Sequence, residues 1–179
     1  VILPIDFRHP ELDDSKKIVE PKRNELREII EANALAFAVA SVTPKEIDQI
    51  NILNASFLAM TKAIKNLSIA PELILVDGNR FKSKIKTPHR CIIKGDSKFL
   101  SIAAASILAK TYRDDYMKKL DKRFPHFNWR QNKGYPTLEH RKAIEVHGIT
   151  NHHRHSFRMS PKPKEIDSKL TDLKLKKSR

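Results

Sequence analysis

Two aspartates follow short apolar runs, where carboxylates can bind a metal ion. Asp77 comes directly after the run at residues 73–76, and Asp96 comes shortly after the run at residues 91–93. Carboxylates at the carboxyl ends of strands lie at the edge where α/β proteins bind ligands. Mg²⁺ and Mn²⁺ suit such oxygen ligands combined with phosphate oxygens. The pattern therefore predicts a divalent-metal site at Asp77 and Asp96; ordinary turn chemistry is the alternative, because Asp-Gly-Asn and Gly-Asp are common turn sequences.

A tyrosine in a tight turn is a candidate for contact with a nucleic acid. Tyr135 lies between Gly134 and Pro136, in a segment that also contains basic residues. Its ring could stack on a ribose or a base, and its hydroxyl could bond a 2′-hydroxyl. The residues alone leave open that Tyr135 packs in the core. Trp129 and Phe127, from the same segment, are predicted to be core residues.

Three histidines close together, His152, His153 and His155, could suggest a zinc site. No cysteine accompanies them, and Arg154 in their midst repels a cation. A structural or phosphate-facing role is therefore favoured over zinc. No Ser-His-Asp arrangement and no glycine-rich phosphate loop stands out.

A second pair of carboxylates, Asp114 and Asp115, lies in an alanine-rich segment predicted to be a helix. Helical spacing favours a solvated face on which these carboxylates pair with lysines further along the helix. Lys110 and Arg113 of the same segment could contact phosphates.

The hydrophobic pattern indicates strands that alternate with helices, which is typical of an α/β layer fold. Thr43 and Thr137 are predicted to cap helices, and Pro21 to lie in the first turn of another. Residues 73–76 and 91–93 are predicted to be neighbouring buried strands. Further strands are predicted at residues 1–3 and 34–42, and a long helix at residues 101–120.

The composition favours a polyanionic partner. The chain of 179 residues has 35 Lys and Arg against 21 Asp and Glu, a formal net charge of +14. Such a surplus favours nucleic acid, because each neutralised phosphate releases condensed counterions; a protein with lysine-rich helices is the alternative. No apolar run is long enough to span a bilayer, and we expect no membrane partner. The single cysteine, Cys91, fits a reducing cytoplasm.

Together these segments resemble bacterial ribonuclease HII, the type 2 ribonuclease H family. Seven blocks occur in the family's order, and the resemblance extends to about residue 157. The blocks are Asp-Ser-Lys-Lys at 14–17, Glu-Ile-Asp at 46–48 with Asn-Ile-Leu at 51–53, Val-Asp-Gly-Asn-Arg at 76–80, Lys-Gly-Asp-Ser at 94–97, the alanine-rich 103–110 with Arg-Asp at 113–114, Lys-Gly-Tyr-Pro-Thr at 133–137 with His140, and 148–157.

The resemblance implies an α/β fold, a ribonuclease H-like mixed sheet flanked by helices with a helical C-terminal portion. Residues 1–157 would form the catalytic domain and residues 158–179 a basic tail. The family uses four carboxylates around two Mg²⁺ or Mn²⁺ ions. By motif position Asp77 is similar to the third carboxylate and Asp96 to the fourth. Tyr135 is similar to the family tyrosine that senses the ribose at the RNA–DNA junction, and Lys16 and Asn79 to backbone or phosphate contacts.

One family motif does not occur in the chain. The first two family carboxylates lie in Asp-Glu-x-Gly-Arg-Gly on the first strand, upstream of the run that ends at Leu3. We expect that strand to begin before Val1. Either the motif precedes Val1 in the physical molecule, or this form is inactive.

The predicted function is an endonuclease that hydrolyses RNA in RNA–DNA hybrids, including ribonucleotides embedded in DNA, and leaves 5′-phosphate and 3′-hydroxyl ends. We expect it to act in the cytoplasm as a monomer. The alternatives are a catalytically inactive nucleic-acid-binding module and a basic ribosome-associated structural protein. A cleavage assay with and without Mg²⁺ separates the enzyme from both.

Overall fold

The computed structural model describes residues 1–12 and 18–157. These residues form a two-stranded parallel sheet and five α-helices. Lys16 and the tail predicted at residues 158–179 lie outside the described residues. The elements are α1 (Glu20–Asn33), α2 (Pro44–Lys65), β1 (Ile74–Asp77), β2 (His89–Ile92), a short 3-10 turn (Gly95–Ser97), α3 (Leu100–Arg123), a second 3-10 turn (Pro125–Phe127), α4 (Trp129–Asn132) and α5 (Leu138–His147).

The sheet brings the two predicted strands together as parallel neighbours. Ile74 pairs with His89 and Asp77 pairs with Ile92, so both strands end at the same edge. The prediction for residues 91–93 was shifted: β2 begins at His89, and the side chain of Ile93 is 65% exposed. Pairing with the neighbouring strand decides where β2 lies, and the apolar run marks only its second half.

The strand predicted at residues 34–42 is wrong for most of its length. Only Ala36 pairs, through an antiparallel bridge to Ile2. A β-branched run forms a strand only where a neighbour satisfies its backbone groups, and among the described residues Ile2 alone does so here. The apolar residues of the segment still pack: Phe37 and Val39 lie against the core between α1 and α3.

Buried apolar side chains of the described residues form three clusters. One joins α1 to α3 through Leu26, Ile30 and Ile107, and a second lies beneath β1. The third contains Phe127 and Trp129, whose predicted core positions are confirmed because both are almost fully buried. Among the described residues no helix is long and apolar enough to cross a membrane.

Helix starts follow the capping residues that the sequence predicted. The Thr43 hydroxyl accepts a hydrogen bond from the Glu46 backbone N–H, and the Glu46 carboxylate accepts one from the Thr43 N–H, which completes a capping box. Thr137 caps α5 through the His140 N–H. Within α2, Asn51 breaks the helical conformation (φ 65°, ψ 167°), and its side chain caps the following turn at Asn54.

Asp114 does not lie on a solvated face, so that prediction is wrong. Its side chain is 4% exposed, 2.7 Å from Lys110 Nζ and 3.6 Å from Arg23 of α1. Helix α3 packs directly on α1, which places this position in the helix interface. Asp115 does reach the surface, but it pairs with Arg27 of α1 at 2.7 Å and only at 3.9 Å with Lys118.

Candidate active site

The two predicted metal ligands lie at the shared edge of the sheet. Asp77 is the last residue of β1, and its side chain is exposed. Its Oδ1 accepts a hydrogen bond of 2.9 Å from the backbone N–H of Gly95, the residue before Asp96. This bond links the end of β1 to the turn after β2, so the structure brings the two carboxylate-bearing segments together.

Asp96 is held in a strained turn. Lys94 adopts a left-handed conformation (φ 54°, ψ 46°), which costs free energy for a residue with a side chain. A Cβ at Gly95 would lie 2.6 Å from Cδ1 of the buried Ile102, so any other residue here would force the Ile102 side chain to shift. Asp96 itself is 8% exposed, and its Oδ1 accepts the Ser97 N–H at 3.1 Å. The turn therefore fixes the direction of the Asp96 carboxylate.

These two carboxylates fit a divalent metal ion. Mg²⁺ and Mn²⁺ are often held by one or two carboxylates and complete their coordination with water and substrate phosphates. Each carboxylate here uses one oxygen for a backbone N–H, and the Asp77 side chain remains exposed to solvent. Over residues 1–12 and 18–157 no group of three or more His, Cys, Asp or Glu side chains could hold a metal ion.

Tyr135 is presented to solvent on a rigid turn. Its side chain is 71% exposed, which excludes the core position that the sequence left open. The turn is built on Asn132, whose carbonyl accepts the Tyr135 N–H at 2.8 Å and whose Oδ1 accepts the Gly134 N–H at 2.8 Å. Arg113 donates to the carbonyl of Lys133 at 3.1 Å, so Arg113 braces this turn from α3. Asn79 is exposed beside Gly78, which has a φ of +115°.

Sequence reasoning missed Asp48 as an anchor. Its carboxylate accepts hydrogen bonds from the His155 N–H at 2.8 Å, the Ser156 N–H at 2.9 Å and the Ser156 hydroxyl at 2.6 Å. These bonds, first among them those from Ser156, lower the pKa of Asp48. They tie the 148–157 segment to the start of α2. In the sequence, Asp48 stood out only as part of the Glu-Ile-Asp block at 46–48, and no role was predicted for it.

His153, one of the three clustered histidines, forms a buried stack with His140, in agreement with a structural role for that residue. The rings of His140 and His153 are 5.4 Å apart and inclined by 17°. His153 Nδ1 accepts the Thr150 N–H at 2.9 Å, and among the described residues its buried Nε2 has no partner. Burial lowers the pKa of His153 to about 4, with a further contribution from His140. Burial also lowers the pKa of His140.

The fold is that of the type 2 ribonuclease H enzymes. The crystal structure of ribonuclease H2 from Pyrococcus horikoshii matches with a TM-score of 0.70 at 24% identity, over 83% of this chain and 78% of that one. Ribonuclease HII in its complex with PCNA from Archaeoglobus fulgidus matches with a TM-score of 0.58 at 21% identity, over 84% of this chain and 80% of that one.

The chain belongs to the ribonuclease HII family, whose sequence model matches residues 5–160. Ribonuclease HII of Phocaeicola vulgatus is 59% identical over 89% of this chain and 79% of the relative. That of Christiangramia forsetii is 56% identical over 93% of this chain and 84% of the relative. The family and the fold class predicted from the sequence are therefore confirmed.

Proposed function

We propose that this chain is an endonuclease that hydrolyses the RNA strand of RNA–DNA hybrids and cuts at single ribonucleotides embedded in DNA. Membership of the ribonuclease HII family supports this class of activity. The observation that carries the proposal for these residues is the hydrogen bond from Gly95 to Asp77. It ties together the two strand ends that carry the candidate ligands.

Asp77 and Asp96 would hold a divalent ion, Mg²⁺ or Mn²⁺. When bound, such an ion lowers the pKa of an attacking water and offsets charge that develops on the phosphate. The family is divalent-metal-dependent, and the oxygen-only ligand pair here suits either ion. The protein's own contribution is orientation, because both carboxylates are positioned by backbone N–H groups before the ion arrives.

The remaining site residues would recognise the substrate. The exposed ring of Tyr135 is offered at a fixed angle by the Asn132 turn, which suits contact with a ribose and its 2′-hydroxyl. Asn79 follows Asp77 by two residues and would contact the backbone near the cleaved bond. Lys16 lies outside the described residues and would contact a phosphate.

We also propose the wider setting of the activity. Residues 1–157 would form the catalytic domain and residues 158–179 a basic tail. The protein would act as a monomer in the cytoplasm, without a membrane partner. The net charge of +14 favours association with any nucleic acid duplex, so specificity must come from the site itself.

A comparison of four duplexes tests the function. We expect the full chain with Mn²⁺ or Mg²⁺ to cut an RNA–DNA hybrid and a DNA duplex with one ribonucleotide, leaving 5′-phosphate and 3′-hydroxyl ends. RNA duplex and DNA duplex of the same sequence should remain intact, and EDTA should stop all cleavage. Tight hybrid binding without cleavage under any of these conditions would instead identify an inactive binding module.

A further inference from the structure

The chain between the two candidate metal ligands carries only positive charge. Residues 78–95 contain six Lys or Arg and no Asp or Glu. Four of these cations occupy alternate positions in the loop that connects β1 to β2. We call Arg80, Lys82, Lys84 and Lys86 the basic row.

The residues between the members of the basic row hold the loop against the protein. Phe81 is 7% exposed and packs with the core cluster beneath β1, and Ile85 packs on the same cluster. The Ser83 hydroxyl lies 3.0 Å from that of Thr61 in α2 and accepts the Ile85 N–H at 3.2 Å. Phe81, Ser83 and Ile85 therefore face the protein, and the cations that alternate with them face outward.

The basic row is exposed and has no acidic partner within the described ranges. All four side chains lie on the surface. Other lysines of the protein are neutralised by carboxylates, such as Lys22 at Glu11, Lys62 at Glu46 and Lys118 at Glu20, but no ion pair of the described part involves the row. Like charges in an unpaired row repel one another, which favours an anionic partner supplied by another molecule.

The basic row begins at the active edge. β1 and β2 are parallel, so the loop leaves the edge at Asp77 and returns to the opposite end of the sheet, where the Pro88 carbonyl accepts the Ile74 N–H at 2.9 Å. The seven residues from Arg80 to Lys86 are joined by six Cα-to-Cα steps, which can span at most about 20 Å. One strand of a duplex places about six phosphates along that length, at roughly 3.4 Å each.

We infer that the basic row binds the sugar–phosphate backbone of the duplex arm that flanks the cleaved position. The inference rests on the proposed function, because it takes the edge at Asp77 as the point of cleavage. A nucleic acid fits better than an acidic protein, since the outward positions of the row are all cationic and offer no apolar centre for a protein interface. Such contacts position a duplex without reading its sequence.

Removal of three charges tests the basic row against a matched control. The row variant is Lys82→Gln, Lys84→Gln and Lys86→Gln, which leaves the inward anchors Phe81, Ser83 and Ile85 unchanged. The control variant removes three other exposed lysines, on α3 and α5, that have no ion pair among the described residues: Lys119→Gln, Lys122→Gln and Lys142→Gln. Both lose the same net charge, and equal melting temperatures verify that both fold.

Binding is measured by fluorescence anisotropy in EDTA, with a labelled RNA–DNA hybrid over a series of salt concentrations. We expect the row variant to bind about tenfold or more weakly than the control variant. Its slope of log affinity against log salt should be shallower by about 0.9 for each lysine that contacts a phosphate.

Hybrids shortened on one side locate the contact. For the wild-type protein, one of the two shortened hybrids should bind more weakly, and the row variant should no longer distinguish it from the full hybrid. Equal affinity of the row and control variants for every hybrid would overturn the inference. The inference would also fail if the row variant bound every hybrid as the control variant does and lost affinity only for an acidic peptide. Cleavage of the full hybrid by the wild-type protein with Mn²⁺ is measured separately. A wild type that does not cleave would contradict the proposed function, whereas equal binding by the two variants would contradict only the role of the basic row.

Discussion

At the scale of single residues, Asp77 combines two properties that a metal ligand needs. It is exposed to solvent, and the Gly95 N–H fixes one of its oxygens. Asp96, in contrast, is only 8% exposed and lies in a turn that begins with the left-handed residue Lys94. Backbone strain of this kind is concentrated at functional sites. Both carboxylates are therefore held in fixed positions, as a metal site requires.

Substitution of Tyr135 separates recognition from packing. Tyr135→Phe keeps the ring and loses the hydroxyl, so cleavage at an embedded ribonucleotide should fall about tenfold to a hundredfold, as one lost hydrogen bond predicts. Tyr135→Ala should be worse, because the ring is lost as well. Neither change should lower the melting temperature much, since the side chain is 71% exposed. A large fall in melting temperature with equal loss on junction and continuous hybrid substrates would make Tyr135 a packing residue.

The buried histidine stack predicts a loss of stability in mild acid. The pKa of His153 falls from 6.5 to about 4 in the folded protein because its ring is buried. Between these pH values the unfolded chain binds a proton that the folded one does not, so the free energy of unfolding decreases as the pH falls. The decrease from His153 should be on the order of 2 kcal/mol and should level off below about pH 4.

Urea unfolding at about pH 7 and about pH 4.5 measures this effect. His153→Asn removes the titrating group, so the difference between the two pH values should shrink relative to the wild type. His140, whose pKa is also lowered by burial, retains its own titration, so a smaller pH dependence should persist. An unchanged difference in the variant would show that His153 is not the group responsible.

At the scale of elements, α2 is interrupted at Asn51, which adopts a conformation that favours glycine. Leu53 lies in the first turn after this break and is 45% exposed, whereas Phe57, one turn further along, is buried. Periodicity alone cannot locate such a break, because it assumes one continuous helix.

Two substitutions at Asn51 test this conformation. Asn51→Ala adds strain at positive φ and removes the cap at Asn54, whereas Asn51→Gly removes the cap but accepts the backbone angles. The alanine variant should therefore be less stable than the glycine variant by about 1 kcal/mol, as measured by urea unfolding. The opposite order would indicate that α2 is continuous through residue 51.

Elements defined by local signals were predicted closely, whereas elements defined by pairing were predicted with shifted bounds or wrongly. Capping residues located the starts of α2 and α5, and the alanine-rich segment located α3 to within three residues at its end. Residues 34–42 combine small and β-branched residues and were predicted to be a strand, yet only Ala36 pairs. Asp114 likewise needed the position of α1 to be recognised as buried. Local chemistry decides caps and helices, but neighbours decide strands and burial.

At the scale of the whole molecule, the sheet edge joins two features that the sequence presents separately. Asp77 ends β1 and Asp96 lies in the turn after β2, and the basic row leaves from the same edge. Helix α3 follows the Asp96 turn and contacts α4, the segment before Tyr135. The sequence predicted Asp77 and Asp96 from strand ends, whereas the link through Gly95 required the parallel pairing of β1 and β2. The Asp48 anchor joins residues over a hundred positions apart, a separation that no local pattern spans.

The central claim is that Asp77 and Asp96 hold the metal ion used for cleavage. The most direct test measures both cleavage and binding of a hybrid by the variants Asp77→Asn and Asp96→Asn. Asparagine keeps an oxygen that can accept the Gly95 or Ser97 N–H, so each variant should fold and should bind the hybrid as the wild type does. Loss of the negative charge at the ion should reduce Mn²⁺-dependent cleavage by about a hundredfold or more, since a metal ion contributes several kcal/mol to such a transition state. Wild-type rates in either variant, or cleavage by the wild type in EDTA, would contradict the assignment of these two carboxylates to a metal-dependent ribonuclease site.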